Sequence, residues 1–164
     1  SQEKAFPPML STSLMKTTKR HSSVKEEKLK EKNLLTFGKN YVLFEVSFFN
    51  APPDLERLVF DMQTAGYKPV LAHVERYPFW YGDKEKYERL KDLGLLFQVN
   101  MGSLAGHYGP PAKKIAEELI EKGMIELLGS DLHNMSHIEV VERARTTEYL
   151  HKAIDSGNLR NVEL

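Results

Sequence analysis

The chain has 164 residues, 23 Lys+Arg against 23 Asp+Glu, zero formal net charge and no cysteine. The charge balance argues against a generalised binder of nucleic acid or of anionic membrane surfaces. The absence of cysteine removes any disulfide framework or thiolate site, and no apolar run is long enough to span a bilayer. One domain with a sizeable core, in the cytoplasm, is the expectation.

Residues 1–32 are rich in Ser, Thr and Lys and poor in large apolar side chains. They read as a poorly ordered leader with one short helical stretch at Val24–Lys32. From residue 33 to residue 164 the pattern is globular. "YVLFEVSF" (41–48) is β-branched and aromatic and predicts a strand. In "PPDLERLVFDMQTAG", Leu55, Leu58, Val59 and Met62 recur at helical spacing, and Gly66 stops the helix. "KPVLAH" predicts a second strand. "DKEKYERLKDLG" follows as a helix with Tyr87, Leu90 and Leu93 on one face. "LLFQVN" (95–100) is a third strand, and "PPAKKIAEELIEKG" opens with prolines suited to a first helical turn. "MIELLGSD" is a fourth strand. One final helix is expected within His137–Ile154, from the spacing of Ile138, Val141, Ala144 and Ala153.

About four β-then-α units in succession, with short connections and nearly continuous apolar strands, predict an α/β fold with parallel pairing. An open sheet and a (β/α) barrel both satisfy the pattern. In either, reactive side chains collect at the carboxyl ends of the strands. Those ends carry Glu45, His73, Asn100, and Asp131 with His133. Glu45, His73, Asp131 and His133 form a mixed carboxylate and imidazole set suited to a divalent metal. Taken singly, His73 could be a core histidine and Asp131 a helix cap. Glu45 interrupts an apolar run, which is costly unless a cation or hydrogen bonds neutralise it. Arg76, three residues past His73, has the fork geometry that grips a phosphate, although loop arginines are common. "MGSLAG" (101–106) reads as a small-residue loop able to turn backbone N–H groups, and Ser103, toward an anion. Phe79, Trp80 and Tyr81 read equally as a pocket mouth or an interaction patch. His107, His137 and His151 have no second feature and read as exposed or structural.

Taken together, "LAHVER", "QVNMGSLAGHYG" and "GSDLHN" resemble the C-terminal part of PHP-domain metallophosphatases. More narrowly, they resemble the bacterial tyrosine phosphatases of capsule and exopolysaccharide biosynthesis, from about Asn33 onward. "LLTFGKNYVLFEVSF" is similar to that family's central strand. The resemblance implies a partial, distorted (β/α) barrel of the PHP type with a manganese site, or one for iron or zinc. It carries metal-ligand roles to Glu45, His73, Asp131 and His133. It places Arg76, His73 and Asp131 in catalysis, and Arg76 and Ser103 in substrate binding. The implied substrate is a phosphotyrosine protein, the tyrosine kinase of polysaccharide export.

Val74 stands where the family usually has proline. The family's upstream His-x-His pair and further ligands have no counterpart, because His21 is the only histidine before His73. A full barrel needs about 250 residues, so missing upstream units, an incomplete metal site and weak turnover are expected. A catalytically impaired binding module and a small-molecule phosphoesterase are the alternatives. Missing strands would also leave two open sheet edges and an exposed apolar interior, which predicts association into a homo-oligomer.

Overall fold

The computed structural model describes residues 36–130 and 136–161. The stretch read as a leader therefore lies outside the described residues. Four parallel strands lie side by side in chain order: β1 (Tyr41–Phe44), β2 (Lys68–Leu71), β3 (Leu96–Asn100) and β4 (Leu127–Gly129). The helices are α1 (Leu55–Thr64), α2 (Lys84–Asp92), α3 (Met101–Leu104), α4 (Pro110–Glu121), α5 (Ser136–Arg145) and α6 (Glu148–Asp155). Spatial order equals chain order, with no reversal of the kind that marks a doubly wound sheet. This resolves the sheet-or-barrel alternative. The described residues form the arc of a partial (β/α) barrel.

The strands alternate between two buried faces. Phe44, Leu71, Phe97, Val99 and Leu128 point toward the helices and meet Leu55, Val59, Met62, Leu90, Leu119 and Leu150. Tyr41, Leu43, Val70, Ala72 and Leu127 form a second cluster on the other face, with Leu96 packed against it. Burial on both faces explains why these strands read as continuous apolar runs. Each fully buried large side chain contributes about 1.5–3 kcal/mol.

Several boundaries differ from the sequence reading. β1 ends at Phe44, so Glu45 lies just beyond the ladder, and β4 is confined to 127–129. The segment 101–106 is not an open loop, because Met101–Leu104 make one buried helical turn. The single helix expected across 137–154 is two. Thr147 is extended (φ −78°, ψ 140°), and its hydroxyl oxygen accepts from Leu150 N at 3.4 Å while donating to Ala144 O at 2.7 Å. Thr146 Oγ1 likewise donates to Arg143 O at 2.8 Å. Paired threonine hydroxyls end one helix and cap the next, a local competition that apolar spacing does not register.

The expectation of an exposed apolar interior is also overturned, since the second cluster is 0–4 % exposed. Nor is the β4 edge open. Asn161 Oδ1 accepts from Leu128 N at 2.9 Å, and Asn161 Nδ2 donates to Leu128 O at 3.0 Å. Arg160 N adds a bond to Glu126 O at 2.7 Å. One asparagine thus stands in for a neighbouring strand, and the argument for association through that edge loses its footing. Asn161→Ala should strand a buried amide and carbonyl and lower unfolding free energy by about 1–3 kcal/mol. A urea midpoint unchanged from the parent would show that the edge is held by something else.

Candidate metal and phosphate site

Register brings Glu45 and His73 together. Phe44 pairs with Leu71, and Ala72 N continues the ladder to Phe44 O at 2.8 Å. The next residues on each chain, Glu45 and His73, therefore emerge side by side. His73 takes a left-handed conformation (φ 38°, ψ 52°), which histidine adopts more readily than most residues. Its Nε2 lies 3.2 Å from Glu45 Oε2. The imidazole side chain is 3 % exposed and the glutamate 14 %.

The strained turn is pinned from β3. His73 N donates to Gln98 Oε1 at 2.7 Å, and Gln98 Nε2 donates to Asn100 Oδ1 at 2.8 Å. Gly129 on β4 makes room for this pair, because a Cβ there would overlap the Gln98 amide. His73 Nδ1 is buried and has no hydrogen-bond partner among the described residues. A carboxylate oxygen and an imidazole nitrogen 3.2 Å apart suit adjacent ligands of one divalent ion, whose bonds to such atoms are about 2.0–2.2 Å. The donors present fit a metal on these grounds. Among the described residues no third His, Cys, Asp or Glu completes a cluster. Asp131 and His133 lie outside the described residues, beginning two positions after β4 ends.

Beneath this pair lies Glu75, fully buried. Its Oε1 accepts from Asn100 N at 3.0 Å and from Ser103 Oγ at 2.6 Å. Burial pushes its carboxyl above the ordinary range, partly offset by the Ser103 bond and the field of His73. The contact ties the turn after β2 to the start of α3. Ser103, expected at the substrate, has its buried hydroxyl committed to Glu75 instead.

Arg76 follows directly. Its guanidinium carbon sits 5.1 Å from the Phe48 ring centroid and 3.8 Å from that of Tyr108. Phe48 also stacks on His73, with centroids 5.1 Å apart. The "PFWY" aromatics divide. Trp80 is core at 3 % exposure, Phe79 stacks on Tyr77 at 5.6 Å, and Tyr81 lines a groove between α2 and α4. They are not one patch at the site mouth. His107 and His151 are exposed.

This geometry can be set beside known proteins. Residues 17–162 match the family model described as capsular polysaccharide synthesis, CpsB/CapC, and the match begins inside the stretch read as a leader. The chain belongs to the CpsB/CapC family.

Tyrosine-protein phosphatase YwqE of Bacillus subtilis is 34 % identical over 111 residues, which are 67 % of this chain and 44 % of that protein. Tyrosine-protein phosphatase CpsB of Streptococcus agalactiae is 28 % identical over 115 residues, 66 % of this chain and 47 % of that protein. One similar solved chain comes from crystal structures of YwqE from Bacillus subtilis and CpsB from Streptococcus pneumoniae, described as unique metal-dependent tyrosine phosphatases. It superposes with a TM-score of 0.67 at 28 % identity, over 83 % of this chain and 58 % of that one. The chain spans about half the length of the curated relatives it matches.

The sequence reading missed Glu75, Gln98, Phe48 and Tyr108. Gln98 and Asn100 had a signal, since alternate polar residues in a strand buried on both faces must find partners. Gly129→Ala should lower stability by about 1–3 kcal/mol through overpacking against Gln98. Because the two side chains share one space, the Gly129→Ala/Gln98→Ala pair should cost clearly less than the sum of the single changes. Strict additivity in urea unfolding would refute the contact.

Proposed function

We propose that this fold carries a metal-dependent protein-tyrosine phosphatase site of the capsule and exopolysaccharide type. The observation that carries the reading is the Glu45–His73 pair at the carboxyl ends of adjacent parallel strands, 3.2 Å apart, with Arg76 held on the same rim. Glu45 and His73, joined by Asp131 and His133 from the segment after β4, would hold a divalent ion, with manganese the first choice and iron or zinc the others. Such an ion supplies an activated water and neutralises developing phosphoryl charge.

The chain's own residues do the rest. Arg76 grips phosphoryl oxygens with its planar fork. Glu75 and Ser103 act at one remove, fixing the turn from which His73 and Arg76 project. The substrate is phosphotyrosine on a protein, the tyrosine kinase of polysaccharide export, encountered in the cytoplasm. The names of the similar proteins support the substrate class. Among the described residues, no helix is long and apolar enough to cross a membrane.

Metal content and turnover of a phosphotyrosine peptide with added manganese test the reading together. The parent chain should retain manganese and release phosphate, slowly if the ligand set is incomplete. His73→Ala should lose the metal and the turnover. Arg76→Ala should keep the metal and lose about a hundredfold or more in kcat, the scale for removing one group that stabilises transition-state charge. Full metal content and full turnover in His73→Ala would sink the assignment.

A further inference from the structure

Arg76 does not stand on the rim alone. Its guanidinium lies over two aromatic rings contributed by two different strand-end loops, Phe48 after β1 and Tyr108 after β3. Both lie within the distance at which a cation is attracted to a ring face. A flexible arginine stem gains a fixed guanidinium plane from two such contacts, and a fixed fork loses less freedom on gripping an oxyanion.

The two rings are themselves placed. Phe48 stacks on His73 at 5.1 Å and 21°, and on Tyr77 at 5.4 Å and 29°. Tyr77 anchors this loop, because its hydroxyl accepts from Val46 N at 3.2 Å and donates to Ala72 O at 3.1 Å. Tyr108 comes down over α3 because Gly102 has no side chain. A Cβ there would meet Tyr108 Cε2 at 3.3 Å and Val140 Cγ1 at the same distance. Phe48 nevertheless keeps 37 % of its surface exposed beside Arg76 and His73. That exposed apolar surface, next to a cation and the Glu45–His73 pair, offers one wall of a slot.

We infer that Phe48 and Tyr108 clamp Arg76 in position, and that the exposed part of Phe48 selects aryl over alkyl phosphates by contact with the ester's ring. The second half rests on the phosphate-site reading above. Phe48 and Tyr108 are positioning residues for Arg76, and Phe48 is in addition a specificity residue.

Two measurements decide it. The first needs no ligand. In the parent chain, the Arg76 Nε–Hε group should show a heteronuclear NOE close to that of ordered backbone. In Phe48→Leu/Tyr108→Leu, which keeps apolar bulk but removes both ring faces, that value should fall toward the exposed arginines, while Phe49→Ala leaves it unchanged. Phe49 is 91 % exposed, which makes it a control for loss of a nearby ring. Gly102→Ala should produce a smaller fall by displacing Tyr108. An Arg76 signal that stays ordered in the double variant overturns the clamp.

The second measurement titrates phenyl phosphate, ethyl phosphate and inorganic phosphate in the presence of magnesium. The parent should prefer phenyl over ethyl phosphate by about three- to tenfold, the range expected of one aromatic stack. Phe48→Leu should bring that ratio near one, and Phe48→Tyr should restore it. Equal affinities for the two esters in the parent, with inorganic phosphate still bound, overturn the aryl wall alone. A parent chain that binds no inorganic phosphate overturns the phosphate-site reading and the aryl wall together, while the Arg76 NOE still decides the clamp.

Discussion

The hydrogen bond from the His73 amide to Gln98 Oε1, 2.7 Å long and wholly buried, is the contact on which the site depends. β2 would otherwise continue extended. Ala72 faces the interior cluster, so an extended His73 would turn its ring toward the helices with Leu71. The left-handed backbone at His73 breaks that alternation and brings the ring back to Glu45. Such a conformation costs about 1–3 kcal/mol for a residue with a Cβ. It persists because Gln98 takes the amide proton that the ladder no longer uses, and Gln98 is itself held by Asn100 and seated over Gly129.

The same logic extends outward as a layer of buried polar groups at the carboxyl ends of the strands. Gln98, Asn100, Glu75 and Ser103 are all fully buried. Their bonds run between elements: His73 to β3, Glu75 to β3 and α3. A partly satisfied polar layer is less stable than an apolar one, and here Glu75 Oε2 and His73 Nδ1 have no partner among the described residues. The layer fixes one arrangement of the turn 73–76 at some expense in stability, as expected where a rim must hold reactive groups in place.

Much of this was legible in the chain. The four strands and the helices between them follow from apolar runs and 3.6-residue spacing, because burial on both faces of a parallel sheet writes itself into composition. Glu45, His73 and Arg76 stand out in the sequence because strand ends are where parallel folds put chemistry. Other features left weaker traces. Glu75 carries no sequence signal, since only tertiary packing buries it against Asn100 and Ser103. Phe48 and Tyr108 carry no sequence signal of their own, because their contacts with Arg76 depend on three loops converging. The break at Thr146 and Thr147 was invisible to apolar periodicity, as hydroxyl capping leaves the hydrophobic spacing intact. Asn161 closing the β4 edge could not be inferred from a pattern that describes strands and helices only.

Aromatic packing and charge are not separate devices on this rim. Phe48 stacks on the imidazole of His73 and also lies under the guanidinium of Arg76. The distance between the His73 imidazole and the Arg76 guanidinium is thereby set by a rigid ring rather than by two flexible side chains. Tyr77 holds the loop that carries Phe48 through two backbone bonds, and burial pushes its hydroxyl far above the ordinary range, so it remains a neutral donor and acceptor throughout the physiological range. A carboxylate or lysine in that place would titrate or seek water, and would put a charge next to the pair it supports. An aromatic frame fixes the geometry while leaving the local field to Glu45, His73 and Arg76.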